Sequence, residues 1–420
     1  MDAVDALAAH RLLADAPAEV IESLRGRVRW HHLPGGRNLM REGDQPMGVY
    51  VLDRGRLRAT RTQPDGTTKI LGDIIPGEVV GELSILMQRR RTASVRALRD
   101  SRLIFLPSPV VLKLFKETPE AVMSVVRDAV RRAEAKGGTD GRPPLRTVAV
   151  IPAGEGAHLR GFSKDLAQAL RRLGSVSHLA LRDRRVLGKD PDESALVDWL
   201  HHQEEEHRFV VFEAEPEICP WTRRCLRQAD RILMVGSSTG THTLNAVEHW
   251  LDSEQAPRGL AERSLVLLHE NEPPFRHTAQ WLDRRKLSGH FHVRRRHPDD
   301  FERLARLLTG EATALVLSGG GARGMAHIGV IAGLLEAKVT VDAIAGTSMG
   351  AVIAAWFAEG HPPDAMVELA REFFVRRKPM KEYTLPLVSL VGGQRVDQGL
   401  QANFGNRRIE DMLLPFLCTS

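Results

Sequence analysis

Cysteine is scarce: Cys219, Cys225 and Cys418 are the only three in 420 residues. Three thiols without metal-ligand spacing exclude a disulfide-stapled scaffold and give no reason to expect a metal; they fit a reducing compartment. No run of uncharged apolar residues is long enough to span a bilayer, so no membrane-crossing helix is expected. The start, Met1-Asp2-Ala3-Val4-Asp5, lacks the basic flank of a secretory signal. The expected location is therefore cytoplasmic, extended at most by peripheral contact with the inner face of a membrane. Nowhere does G-x-x-x-x-G-K-[ST] occur, which argues against a phosphate-cradling NTPase loop.

Positive charge is in excess. The formal net charge is +6, with arginine clusters at 89–91 and 294–296. Such clusters attract anionic lipid or nucleic acid when they stand free. Here they are read as solvated faces, and no nucleic-acid partner is expected. With 42% hydrophobic and 27% charged residues the chain is globular, and at about 150 residues per domain it holds two or three.

The chemistry is concentrated between Thr313 and Trp356. A short apolar run, Ala314–Leu317, meets Gly319, Gly320, Gly321 and Gly324 and then a helical pattern through Ile328, Ile331 and Leu335, which predicts strand, tight turn and helix. A second run, Ala343–Ala345, meets Gly346-Thr347-Ser348-Met349-Gly350 and a helix over Ala351–Trp356. In a G-x-S-x-G turn only glycine at the flanks lets the chain bend sharply enough to expose the serine at the strand end. Ser348 is the candidate nucleophile. A glycine loop opening a helix presents N–H groups and a positive helix end to a developing oxyanion, which makes Gly319, Gly320 and Gly321 the candidate oxyanion hole.

Before this stretch the pattern changes twice. Residues 1–135 carry short alternating runs broken by glycine at spacings of about 8–12 residues, which predicts a β-barrel or jelly roll. Helices are expected at Ala18–Leu24, Pro109–Phe115 and Glu120–Arg132. Residues 136–145, Lys-Gly-Gly-Thr-Asp-Gly-Arg-Pro-Pro-Leu, read as a linker that separates domains. From 146 to 310, apolar runs at Thr147–Ile151, Phe209–Phe212, Arg231–Val235 and Ser264–Leu268 alternate with helical segments at Ser163–Leu173, Ser194–Glu204 and Asn245–Leu251. That alternation predicts a parallel α/β sheet, to which no chemistry is assigned. His201, His202 and His207 beside Glu204–Glu206 could form a metal cluster; a solvated helix end is the preferred reading. Residues 311–420 form the last domain, with a further helix at Asp364–Phe374. Charge alone marks Arg376-Arg377-Lys378 as a membrane-surface contact.

On G-G-G-A-R-G at 319–324 and G-T-S-M-G at 346–350, the chain resembles the patatin-like phospholipases, most closely the neuropathy-target-esterase branch. That resemblance implies a serine acyl hydrolase acting on lipid carboxylic esters, with Arg323 and Gly324 supporting the loop, Gly346 and Gly350 supporting the elbow, and no cofactor. It also implies a Ser-Asp dyad, which makes His327 a packed helix residue and no catalytic base. The family's Asp stands in a D-G-G or D-G-A turn. Asp364, Asp397 and Asp411 have no such sequence, so the dyad is expected to be incomplete in this polypeptide. The final stretch, Ile409 to Ser420, reads as a strand cut off on entering the core.

Gly81-Glu82-Leu83-Ser84-Ile85-Leu86 followed by Arg91-Thr92-Ala93 resembles the phosphate cassette of cyclic-nucleotide-binding domains. By that resemblance Gly81, Glu82, Arg91 and Thr92 would hold cAMP or cGMP as a regulatory ligand, Glu82 on the ribose hydroxyl and Arg91 on the phosphate. Arg90 stands where the family has proline and Ser84 where it commonly has alanine, so a barrel without nucleotide stays open as the other reading. Two further alternatives remain: an inactive scaffold, and a dinucleotide oxidoreductase using G-G-G-A-R-G with Asp342. The second requires an acid at the end of the next strand, whereas Asp342 precedes its strand.

Overall fold

The computed structural model describes the chain apart from residues 1, 9, 11–12, 14–16, 119–121, 124–125, 128–144, 156–158, 184–192, 254–255, 257–260, 377–393 and 420. The expected linker lies outside the described residues except for Leu145, as do most of the helix expected at 120–132 and the cluster at 377–378. Two compact units are formed. One comprises Met1–Ile151, Gly174–Ile232 and Ala246–Glu262; the other comprises Pro152–Leu173, Leu233–Asn245 and Arg263–Ser420.

In the first unit, strands β1 (Arg29–Leu33), β2 (Asn38–Met40), β3 (Gly48–Arg54), β4 (Leu57–Thr62), β5 (Thr68–Ile74), β6 (Val79–Val80), β7 (Ser94–Ala97) and β8 (Ser101–Pro107) build two antiparallel sheets. Their orders are β1-β8-β3-β6 and β2-β7-β4-β5. The alternation in the sequence explains the layering: Leu52, Leu57, Ala97 and Leu103 turn inward between the sheets and are fully buried. Gly55, at the turn from β3 to β4, has φ +100, and a Cβ there would lie 2.6 Å from Ser101 Cα. Helices Ala18–Ser23 and Ser108–Glu117 flank the barrel, adding Val111 and Leu114 to a second apolar cluster with Val49, Ile104 and Leu106.

The middle sheet contains β9 (Thr147–Pro152), β10 (Val176–Ala180), β11 (Phe209–Glu213), β12 (Arg231–Ser237), β13 (Glu262–His269) and β14 (Gly289–Arg294), in the order β10-β11-β9-β12-β13-β14. β10 pairs with β11, β11 with β9, and β13 with β14, all in parallel. Helices at Leu159–Leu170, Glu193–Glu206, Pro220–Gln228, Ala246–Asp252 and Pro298–Thr309 alternate with them.

Barrel and α/β residues of the first unit are joined by buried ion pairs, which the sequence reading of a linker-separated barrel does not anticipate. Arg56 Nη1 donates to Asp230 at 2.9 Å, Arg99 pairs with Glu204 at 2.9 Å, and Asp100 meets both Arg224 and Arg227. His201 and Glu204, expected on a solvated helix end, are instead 2% and 6% exposed. The sequence shows the acidic run but not that Arg99 lies against it. His202 does stay outside, paired with Glu206.

In the second unit β15 (Ala314–Leu317), β16 (Ala343–Thr347) and β17 (Phe416–Thr419) form a parallel sheet in that order. Helices Ala326–Glu336, Met349–Ala358 and Pro363–Ala370 contribute Ile331, Ile353, Trp356 and Met366 to its core. The helix expected through Phe374 closes at Ala370 and is followed by a π turn over Arg371–Arg376. No helix among the described residues is long and apolar enough to cross a membrane.

The approach to β17 is held by histidines of the middle sheet. His290 and His292 both donate through Nε2 to the carbonyl of Glu410, at 2.9 and 2.8 Å. A carbonyl only accepts, so Nε2 of His292 carries its hydrogen; with the ring neutral, Nδ1 accepts from His269 Nε2 at 2.8 Å. Burial lowers His292 to about 4 and His269 to about 3, with the neighbouring histidine in each case adding to the effect. A folded-state value below the unfolded one means the unfolded chain binds the proton first. Stability is therefore expected to fall as pH drops from the ordinary histidine value near 6.5 toward 4, by roughly 3 kcal/mol from His292 alone. Urea unfolding of the chain at pH 7 and pH 4.5 checks this, and His292→Phe should flatten the dependence.

Candidate functional site

β15 and β16 are parallel neighbours in register, Leu317 opposite Gly346. Their C-terminal ends therefore lie side by side, and so do the loops that leave them. That juxtaposition brings the two glycine motifs together. Gly319 lies so close to the elbow that a Cβ on it would stand 3.3 Å from Ser348 Cβ and 4.0 Å from Oγ.

Each glycine of the elbow has a steric reason to be glycine. A Cβ on Gly346 would overlap the carbonyl group of Gly350, and one on Gly350 would come within 2.5 Å of Leu317 O and 2.6 Å of Ser318 O. A Cβ on Gly324 would stand 2.8 Å from Met349 Cβ, so the loop's last glycine lets the start of the elbow helix approach. Ser348 has φ 51 and ψ −120, a conformation L residues rarely adopt, and it caps the helix Met349–Ala358. Strain at this residue is the cost of lifting its hydroxyl clear of the strand. The backbone N–H of Ser348 donates to Thr419 O at 3.3 Å, and the hydroxyls of Thr347 and Thr419 are 2.8 Å apart. Strand β17 thus braces the elbow.

The glycine loop is exposed and folds into a 3-10 turn over Gly321–Met325, with Gly321 at φ +54. The first N–H groups of such a turn have no acceptor within it, so they face outward as donors. Arg323 is exposed on the same turn. His327 is only partly buried, and its Nε2 donates to Ser318 O at 2.9 Å, a contact the reading of a packed residue misses.

Ser348 opens on a cavity of about 1370 Å³ whose walls include Ile328, Val352, Phe373, Leu400 and Phe404. The lining is predominantly aliphatic and aromatic, as in pockets that take apolar ligands. Among the described residues no hydrogen bond reaches Ser348 Oγ. Asp364 lines the cavity, Asp397 stands on helix Gln394–Phe404, and Asp411 accepts from Thr278 N at 3.0 Å. Asp342, the acid of the dinucleotide reading, is 1% exposed and committed to Arg306 at 2.7 Å and to the Thr313 amide at 3.0 Å.

In the barrel, Gly81, Glu82, Ser84, Arg91 and Thr92 border a cavity of about 250 Å³. Gly81 has φ +91 and caps the short helix Glu82–Leu86. Arg91 is 4% exposed and donates to Gly81 O at 2.7 Å and Gly48 O at 2.6 Å, so part of its guanidinium already serves the barrel's own backbone. Arg90 reaches Gly43 O at 3.0 Å. Two arginines of the second cluster are ion-paired, Arg294 with Glu272 and Asp300, and Arg295 with Glu270, while Arg296 is exposed. Among the described residues no group of His, Cys, Asp or Glu side chains is placed to hold a metal.

A strained serine beside a glycine loop, opening on an apolar cavity, is the arrangement of a patatin-type domain, and the two antiparallel sheets of residues 29–107 are the arrangement of a cyclic-nucleotide-binding-type domain. Residues 30–118 match the cyclic nucleotide-binding domain, 144–297 the neuropathy target esterase family P-loop like domain, and 315–416 the patatin-like phospholipase family. The chain is 32% identical over 443 residues to patatin-like phospholipase domain-containing protein 7 of Rattus norvegicus, covering 92% of this chain and 33% of that protein. Against patatin-like phospholipase domain-containing protein 6 of Homo sapiens it is 32% identical over 469 residues, covering 98% and 34%. Against neuropathy target esterase sws of Drosophila virilis it is 29% identical over 464 residues, covering 97% and 31%. The chain is thus similar to proteins of the neuropathy-target-esterase branch of the patatin-like phospholipases, and it spans about a third of the length of these relatives.

Proposed function

We propose that the chain carries the nucleophile and oxyanion loop of a serine acyl hydrolase acting on lipid carboxylic esters. Ser348 Oγ attacks the ester carbonyl while N–H groups of Gly319, Gly320 and Gly321 receive the oxyanion; the C–O bond to the alcohol then breaks, the alcohol leaves with the proton given up by the serine hydroxyl, and the acyl chain lies in the apolar cavity. Water cleaves the acyl-serine ester, restoring the Ser348 hydroxyl and releasing the carboxylic acid. Arg323, exposed beside the loop, orients it or faces a lipid phosphate. The observation that carries this reading is the approach of Gly319 to Ser348 at the mouth of that cavity. The domain limits 1–135, 146–310 and 311–420 belong to the same reading. So does a cyclic nucleotide as regulatory ligand at Glu82 and Arg91, in a cytoplasmic protein that meets its lipid at a membrane surface.

A fluorophosphonate probe tests the assignment. The expected result is a single phosphonate adduct, located by peptide mass spectrometry on the segment holding Ser348. An adduct on another serine, or none on the folded chain, would overturn it and leave the scaffold reading.

A further inference from the structure

We propose that His327 is the positioning residue of the glycine loop, holding the peptide plane that precedes Gly319; the role rests on the reading of Ser348 and Gly319–Gly321 given above. Three successive glycines bring the widest backbone freedom of any sequence and have no side chains by which to be held. An oxyanion hole works because its donors are fixed before the charge develops. Something outside the loop must therefore fix it.

His327 is placed to do so. It is the second residue of helix Ala326–Glu336, and its Nε2 lies 2.9 Å from the carbonyl oxygen of Ser318. That carbonyl is also close to the start of the elbow helix, since a Cβ on Gly350 would stand 2.6 Å from it. It is thus held between the two helices that leave the two motifs. The peptide unit is planar and trans, so fixing the Ser318 carbonyl fixes the Gly319 N–H on the opposite side of the same plane. Gly319 is the loop residue that borders Ser348.

The chemistry of the bond separates this role from general-base catalysis. Because the carbonyl only accepts, Nε2 of His327 must carry a hydrogen, as it does in one neutral tautomer and in the imidazolium. A base would have to offer that nitrogen without its hydrogen. Glutamine can donate from its amide nitrogen to a carbonyl but cannot serve as a base.

The test uses the 420-residue chain as wild type, His327→Ala and His327→Gln, with two readouts. One is the backbone order parameter of the Gly319, Gly320 and Gly321 amides by 15N relaxation; the other is the rate of fluorophosphonate labelling at Ser348. His327→Ala is expected to lower the order parameters from about 0.85 to below about 0.6. It should also slow labelling by about 10- to 100-fold, somewhat less than loss of an oxyanion donor itself. His327→Gln is expected to restore both. Order parameters unchanged in His327→Ala, or His327→Gln as impaired as His327→Ala, would overturn the proposal. If wild type is not labelled at Ser348, the hydrolase reading fails, and the order parameters alone decide for or against His327.

Discussion

Ser348→Ala is expected to lose phosphonate labelling and ester hydrolysis by a factor on the order of 10³ or more while keeping the unfolding temperature of the wild type. Ser348→Gly should lose the same activity and unfold at a higher temperature than either. The backbone explains the difference. At φ 51 and ψ −120 the serine Cβ is crowded by its own chain, a strain of roughly 1–3 kcal/mol that alanine shares and glycine does not. Glycine returns about 0.4–1 kcal/mol of that gain through its larger unfolded-state entropy. A net stabilisation of about 1 kcal/mol remains, or a few degrees in a domain of this size. Calorimetry of the three proteins beside a labelling assay measures both effects. Full labelling of Ser348→Ala would place the nucleophile elsewhere, and a Ser348→Gly protein that melts lower than wild type would mean the elbow stores no strain.

The two glycine motifs could be read as strand-turn-helix units because each is encoded within a dozen residues, where period and turn chemistry operate. The strands expected at Ala314–Leu317 and Thr147–Ile151 form within a residue of those limits. Strands β10 and β14 escape such a reading for a physical reason. They are the outer strands of their sheet, and sequences such as Gly-His-Phe-His-Val-Arg need not be continuously apolar when one edge is unpaired. What sequence could not reveal is partnership between residues that no local period relates. The bonds from Thr419 to the elbow, from Glu410 to His290 and His292, and from Ser318 to His327 join residues whose spacing follows no helical or strand period. His201 and Glu204 were legible as helix residues but not as buried ones, because their burial depends on Arg99 and Asp100 in the barrel.

That buried network yields the second large effect: Asp230→Asn is expected to lower the unfolding temperature of the first unit by on the order of 10 °C. Asp230 accepts from Arg56 Nη1 at 2.9 Å and from the amides of Arg146 and Thr147 at 2.9 and 3.0 Å, at the start of β9. Asparagine retains the shape and loses the charge. Arg56 would then keep only Asp73, at 3.6 Å, against a burial that already works against its positive charge. Removing one partner of a buried pair costs about 3–5 kcal/mol because the other is left uncompensated, whereas replacing both with apolar groups can be nearly neutral. Adding Arg56→Met to Asp230→Asn should therefore recover much of the loss, and no recovery would mean that the charge pairing is not what the substitution removes. Acid supplies an independent check. Burial by itself would raise the Asp230 carboxyl, but Arg99, Arg56 and the two amides overcome it and hold it below the ordinary value. A depressed carboxyl stabilises the fold above the unfolded-state value near 4, and that stability is lost as pH falls below it. The gap between wild type and Asp230→Asn should accordingly be constant from pH 7 to 5 and narrow below 4, because protonation there removes from the wild type the same charge that the substitution has already removed.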